Sequence, residues 1–140
     1  MRPDERLVLV VEDSAEDQEA IRRALARTHP ELELQFAADG DTAIARLADP
    51  AAARPSLVLL DLNLPGRDGH QVLADLRANP DLAEVTIIVF TSSTTPAEID
   101  RCYRLGADSY VFKPVNFHLF RTVLQGAIDY WQESKSGEGA

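Results

Sequence analysis

Five short apolar runs divide the chain, each followed by a stretch in which apolar residues recur three or four positions apart. Leu7-Val8-Leu9-Val10-Val11 is branched and uninterrupted, the pattern of a strand buried on both faces. Beyond Ser14, the positions Ala20, Ile21, Ala24 and Leu25 share one helical face, and His29-Pro30 breaks the helix. Leu32, Leu34 and Phe36 alternate with polar residues, which predicts a half-buried strand nearer a sheet edge. Asp39-Gly40 marks a turn, Ala43, Ile44 and Leu47 a second helix, and residues 49–56 a loop rich in alanine and proline. A third strand, Leu57-Val58-Leu59-Leu60, ends at Asp61, and a loop with Pro65, Gly66 and Gly69 leads to a helix carrying Val72, Leu73 and Leu76. Residues 85–90 read as the fourth strand. Pro96 opens a helix that Gly106 closes. Residues 109–112 form a short fifth strand, and a last helix runs from Phe117 to about Glu133 with Phe120, Leu124, Ala127, Ile128 and Trp131 on one stripe. Residues 134–140 are small and polar and are expected to be a disordered tail.

Such β-α alternation implies an α/β fold, a parallel sheet covered by helices on both faces. The length of 140 residues suits one domain, assigned to 6–133, with no output domain after it. A hydrophobic content of 45% is enough for a real core. Charge narrows the function: 14 Lys+Arg against 23 Asp+Glu give −9, which disfavours nucleic acid and anionic lipid as partners. A single cysteine, Cys102, excludes an intrachain disulfide and a cysteine-rich zinc site. The charged start of the chain has no signal-peptide pattern, and no apolar run reaches the length of a membrane span, so the expected location is cytoplasmic.

In open parallel sheets, ligands bind beyond the carboxyl ends of the strands. Those ends carry Glu12-Asp13, Asp61, Thr91 and Lys113. If the first and third strands are neighbours, their carboxylates converge on one crevice. A hard divalent cation would relieve the repulsion, and all-oxygen ligands favour magnesium, manganese or calcium over zinc. With a lysine and a hydroxyl opposite, the set suits phosphoryl transfer, where positioning and charge neutralisation dominate. Asp61 is then the natural nucleophile, since carboxylates form acyl phosphates.

Four segments carry a resemblance: Val11-Glu12-Asp13, Asp61-Leu62-Asn63-Leu64-Pro65-Gly66-Arg67-Asp68-Gly69, Thr91-Ser92-Ser93 and Tyr110-Val111-Phe112-Lys113-Pro114. In this order, each at a strand end, they resemble a response-regulator receiver domain of two-component signalling, from about Arg6 to Trp131. The resemblance implies a flavodoxin-like, doubly wound (βα)5 fold with strand order 2-1-3-4-5. It makes Asp61 the phosphoacceptor. Asp13 would bind Mg2+ or Mn2+ directly, Glu12 mostly through water, and Asn63 through its backbone carbonyl. Lys113 would pair with Asp61 and then with the phosphoryl group. Thr91 would bind a phosphoryl oxygen and move inward, and Tyr110 would change rotamer with it. The Lys113-Pro114 peptide would be cis. Glu12 stands where aspartate is commoner but keeps the charge. The segment from Cys102 to Tyr110, with Tyr130-Trp131, resembles stand-alone receivers that serve phytochrome-type histidine kinases. The implied partners are a sensor histidine kinase and a downstream protein or phosphorelay. A homodimer would use the fourth helix, fifth strand and fifth helix, or the C-terminal helix.

Blander roles are assigned elsewhere. Ser14 suits a helix cap better than Asp13 does, Asp68 holds or caps the loop after Asp61, and Pro65, Gly66 and Gly69 shape it. Cys102 is a packed residue, and His29, His70 and His118 receive no catalytic role. Trp131 either staples the last helix to the core or, with Tyr130, forms an interface. Ser93 and Asn63 flank the path of the attacking water and would tune the phosphoryl lifetime. Three other functions compete. A haloacid-dehalogenase-like phosphatase would need an aspartate as general acid two residues after the nucleophile, where Asn63 stands. A P-loop protein would need a Gly-x-x-x-x-Gly-Lys-Ser/Thr run, which is absent. A receiver-like docking module that is never phosphorylated would have no need of Glu12, Asp13, Asp61, Thr91 and Lys113 together.

Overall fold

Period-two alternation in the strands decides which side chains face which layer of helices. The computed structural model describes residues 3–92 and 95–138. Among them the order is β1 (Asp4–Val11), α1 (Ala15–Thr28), β2 (Glu33–Ala37), α2 (Gly40–Ala48), β3 (Pro55–Leu60), α3 (Gly69–Ala78), a 3-10 turn (Pro80–Leu82), β4 (Thr86–Thr91), α4 (Pro96–Arg104), β5 (Ser109–Phe112) and α5 (Phe117–Glu138). The strands form one parallel sheet in the expected order β2-β1-β3-β4-β5. Val8, Val10, Leu57, Leu59, Ile88 and Phe90 face α1 and α5, where they meet Ile21, Leu25, Phe120, Leu124 and Ile128. The alternate residues Leu9, Val11, Val58, Leu60, Ile87 and Val89 face the other layer and meet Ala43, Leu47, Val72, Leu73 and Cys102.

The strands leave the core in step. Val11 pairs with Ala37 and Leu60, Leu60 with Val89, and Thr91 with Phe112. The ladder continues one residue further: Glu12 N–H donates to Ala37 O at 2.9 Å, Asp61 N–H to Val11 O at 3.0 Å and Lys113 N–H to Thr91 O at 2.8 Å. Those bonds bring the backbones of Glu12, Asp61 and Lys113 to the same end of the sheet.

Caps fix where the helices begin. Ser14 Oγ accepts from Asp17 N–H at 3.2 Å, and Asp68 Oδ1 accepts from His70 N–H at 3.0 Å, as the capping roles required. Gly69 has a steric reason of its own: a Cβ there would lie 2.4 Å from Leu62 Cα. At the far end of the molecule His29 Nε2 meets Asp129 Oδ1 at 2.7 Å and ties α1 to α5.

Three expectations change. First, α5 does not stop near Glu133 with a disordered tail but continues to Glu138. Trp131 is buried, and Lys135 lies over its ring at 5.0 Å, so packing carries the helix onward. Second, β1 and β3 begin earlier, at Asp4 and Pro55, across a register irregularity where Ser56 Oγ donates to Glu5 O at 3.1 Å. Third, no peptide bond is cis among the described residues, so Lys113-Pro114 is trans. The trans form is the intrinsic preference of an X-Pro bond by about 0.5–1 kcal/mol, and Lys113 reaches its acidic partners from it.

Candidate functional site

Chain exit from the buried strands places acidic side chains at the mouth of the sheet. Glu12, Asp13 and Asp61 can each offer an oxygen within 4.8 Å of the others. Glu12 and Asp61 are buried and Asp13 is exposed at the rim. These groups, with Asn63, Ser92, Asp17 and Lys113, line an open cleft of about 490 Å³ whose apolar side is Val115, Phe117 and Phe120. All-oxygen donors at this spacing fit a hard divalent cation.

Lys113 supplies the opposing charge. Its Nζ donates to Asp61 Oδ2 at 3.0 Å, to Asp17 Oδ2 at 3.0 Å and to Glu12 Oε1. The ring of Phe90 lies 5.8 Å from the same nitrogen. Asp61 is held from the other side as well, since Asn63 N–H donates to its Oδ1 at 3.0 Å. Glu12 is steadied by Ser14 N–H on Oε2 at 3.1 Å and by Gln18 Nε2 on its carbonyl at 2.6 Å.

One ammonium thus serves three carboxylates among the described residues, and the surplus negative charge falls on the most buried of them. Burial pushes the Glu12 carboxyl up to about 7, the Lys113 hydrogen bond pulls against this, and the Asp61 charge adds to it. Burial works against the Lys113 ammonium too, but the hydrogen bond to Glu12 and the negative charge of Asp61 outweigh it, and its pKa is raised. Lys113 is therefore a fixed positive charge at any physiological pH.

Thr91 ends β4, between Asp61 and Lys113 in strand order, and is completely buried. Its Oγ1 has no hydrogen-bond partner among the described residues. An unsatisfied buried hydroxyl costs about 1–3 kcal/mol, which marks it as a group waiting for an acceptor. Tyr110, on β5, is half-buried against the α2-α3-α4 layer, and its N–H donates to Tyr103 Oη at 3.2 Å. Pro65 lies in the loop after Asp61, where Arg67 N–H donates to its carbonyl at 2.9 Å. Arg67 binds that loop to α2 and α3 through Asp41, at 2.9 Å, and Asp75.

The receiver family matches residues 8–125. The chain belongs to the response-regulator receiver family. The receiver is 34% identical to response regulator Rcp1 of Synechocystis sp., over 92% of this chain and 90% of that protein. It is 31% identical to a probable methanogenesis regulatory protein, FilR2, of Methanothrix harundinacea, over 89% and 83%. The crystal structure of Mn2+-bound Rcp1 superposes on the receiver with a TM-score of 0.84, covering 90% of this chain and 94% of that one. That of the phosphorylated cyanobacterial phytochrome response regulator RcpA also gives 0.84, at 30% identity and covering 94% and 96%. Receivers are signalling phosphoacceptors rather than typical enzymes, and no helix among the described residues is long and apolar enough to cross a membrane.

The site residues expected from the sequence thus fall into three groups. Glu12, Asp13, Asp61, Asn63 and Lys113 share the cleft. Thr91 and Tyr110 lie on the two neighbouring strands behind it. Ser93 lies outside the described residues. Asp17 was missed. Its signal was its place in the first turn of the helix that Ser14 caps, directly after Glu12-Asp13. The choice at the last helix is also resolved: Trp131 is 4% exposed and staples α5, whereas Tyr130 is 70% exposed.

Proposed function

We propose that this receiver is a phosphoryl-accepting switch that takes its phosphoryl group from a partner's phosphohistidine onto Asp61. The observation that carries the reading is Lys113 Nζ on Asp61 Oδ2 at 3.0 Å, inside a cluster whose other members, Glu12 and Asp13, offer oxygens for a cation. In the transfer an Asp61 oxygen forms the O–P bond as the N–P bond breaks, and the partner's imidazole keeps that electron pair. A magnesium or manganese ion held by Asp13, Asp61, the Asn63 carbonyl and, through water, Glu12 would supply charge neutralisation for the phosphoryl oxygens. Lys113 moves from the Asp61 carboxylate to the phosphoryl group. Thr91 gives its unsatisfied hydroxyl to a phosphoryl oxygen, and Tyr110 follows into the space that Thr91 leaves. Water attack at phosphorus later returns Asp61 to its carboxylate.

The readout surface in this proposal is α4-β5-α5, which carries the exposed Tyr103, Phe112 and Tyr130. It would signal to a separate protein or a phosphorelay, and a homodimer would form on the same face or along the end of α5. Likeness to Rcp1 and to the phytochrome regulator RcpA supports a phytochrome-type sensor kinase as donor. The encounter would take place in the cytoplasm, on a domain whose elements run from β1 to the end of α5 at Glu138. Intact mass after incubation with acetyl phosphate tests the chemistry. One phosphoryl adduct is expected with magnesium, none after chelation and none in Asp61→Asn, which keeps its fold. A magnesium-dependent adduct of equal yield in Asp61→Asn would refute the assignment.

A further inference from the structure

Lys113 has three N–H protons and, among the described residues, three carboxylate acceptors: Glu12, Asp17 and Asp61. Two of these change state when the switch works. Glu12 and Asp61 belong to the group able to hold a cation, and Asp61 gives up its charge once it is an acyl phosphate. Asp17 stands outside that cation group and does not take the phosphoryl group. It is also the acceptor that comes from a helix rather than from a strand end. It lies in the first turn of α1, where its backbone N–H is capped by Ser14 Oγ at 3.2 Å, and α1 is bolted to the sheet by Ile21 and Leu25.

A lysine side chain is a flexible four-carbon stem with about 2 kcal/mol of rotamer entropy, and here it faces an open cleft. Once Glu12 and Asp61 turn away, an ammonium with no other acceptor would be free to follow solvent out of the cleft. We propose that Asp17 is a positioning residue that anchors Lys113 Nζ throughout the cycle, so that the ammonium swings about a fixed point from the Asp61 carboxylate to the arriving phosphoryl group. Asp17 touches neither phosphorus nor cation and acts only through Lys113. The inference rests on the phosphoryl-accepting reading for its kinetic consequence but not for the anchor itself.

Two measurements separate these. The chain has two lysines, Lys113 and Lys135, so amine labelling followed by peptide mass analysis gives a ratio with an internal standard. With saturating magnesium and no phosphoryl donor, so that Glu12 and Asp61 face the cation, Asp17→Ala should raise the Lys113 to Lys135 labelling ratio several-fold, and Asp17→Glu should bring it back towards the parent value. With acetyl phosphate and saturating magnesium, Asp17→Ala should slow adduct formation about tenfold, the scale of one lost charge-assisted hydrogen bond. The same substitution in a Lys113→Ala background should cost nothing further. An unchanged labelling ratio would overturn the anchor, as would a loss of rate that persists undiminished without Lys113. Should Asp17→Ala fail to fold, Asp17→Asn, which keeps the shape and removes the charge, serves in both arms. If the parent protein forms no adduct at all, the phosphoryl-accepting reading fails while the labelling ratio still decides the anchor.

Discussion

The two halves of the sheet have different work. β1 and β3 lie at its centre, and β3 is buried along its whole length. They hold Glu12, Asp13 and Asp61, whose separation has to stay fixed if they are to share a cation. β5 lies at the edge, is only half-buried and ends in the exposed Phe112. It carries Tyr110 and leads into Lys113, the groups that the proposed switch must move. Geometry is thus kept where packing is densest, and motion is left to a strand at the edge. Interiors transmit strain because they are close-packed, while edges yield locally.

Truncation should expose that asymmetry most strongly. Leu60→Ala, on β3, is expected to destabilise by about 3–5 kcal/mol, and Val111→Ala, on β5, by about 1 kcal/mol. Urea midpoints would show it, and equal losses would erase the distinction between the halves. The next effect is one of pH. The folded Glu12 carboxyl titrates near 7, above its unfolded value of 4.5. The folded state therefore binds the proton more tightly, and stability falls as pH rises from 4.5 to 7, by on the order of 3 kcal/mol. In chelator, the parent should lose this stability across the window while Glu12→Gln does not. Magnesium should flatten the curve, and its affinity should weaken as the pH drops below 7. A parent and Glu12→Gln with the same pH slope would sink this account of the charge surplus. Smallest is the hydroxyl behind the cleft. Thr91→Val removes an unsatisfied donor, so the unphosphorylated protein should gain about 1 kcal/mol while the coupling of phosphorylation to the α4-β5-α5 surface is lost. A Tm below that of the parent would show that Thr91 already has a partner at rest.

Much of this was legible because local signals and the sheet agreed. Uninterrupted runs such as residues 57–60 read as doubly buried strands, and the rule that chemistry lies at carboxyl ends then pointed to Glu12, Asp13, Asp61 and Lys113. What stayed hidden depended on contacts between elements. Asp17 belongs to a helix, so a search confined to strand ends passed over it, although its place in the first turn of α1 puts it on the cleft. The length of α5 was hidden for a similar reason. Residues 134–138 look like a tail by composition, and it is Trp131 and Lys135, packed together, that hold the helix to Glu138. The peptide before Pro114 was inferred from likeness alone, with no signal in the residues themselves.

Trp131 has one more consequence. It is the only tryptophan in the chain, and it borders a pocket with Thr86, Asp108 and Ser109, at the amino ends of β4 and β5. The phosphoryl chemistry lies at the opposite ends of those strands. The protein therefore contains its own fluorophore, placed where a cation or phosphoryl group in the cleft cannot quench it by contact. In a monomer, a change in its emission on phosphorylation measures what has travelled the length of the sheet.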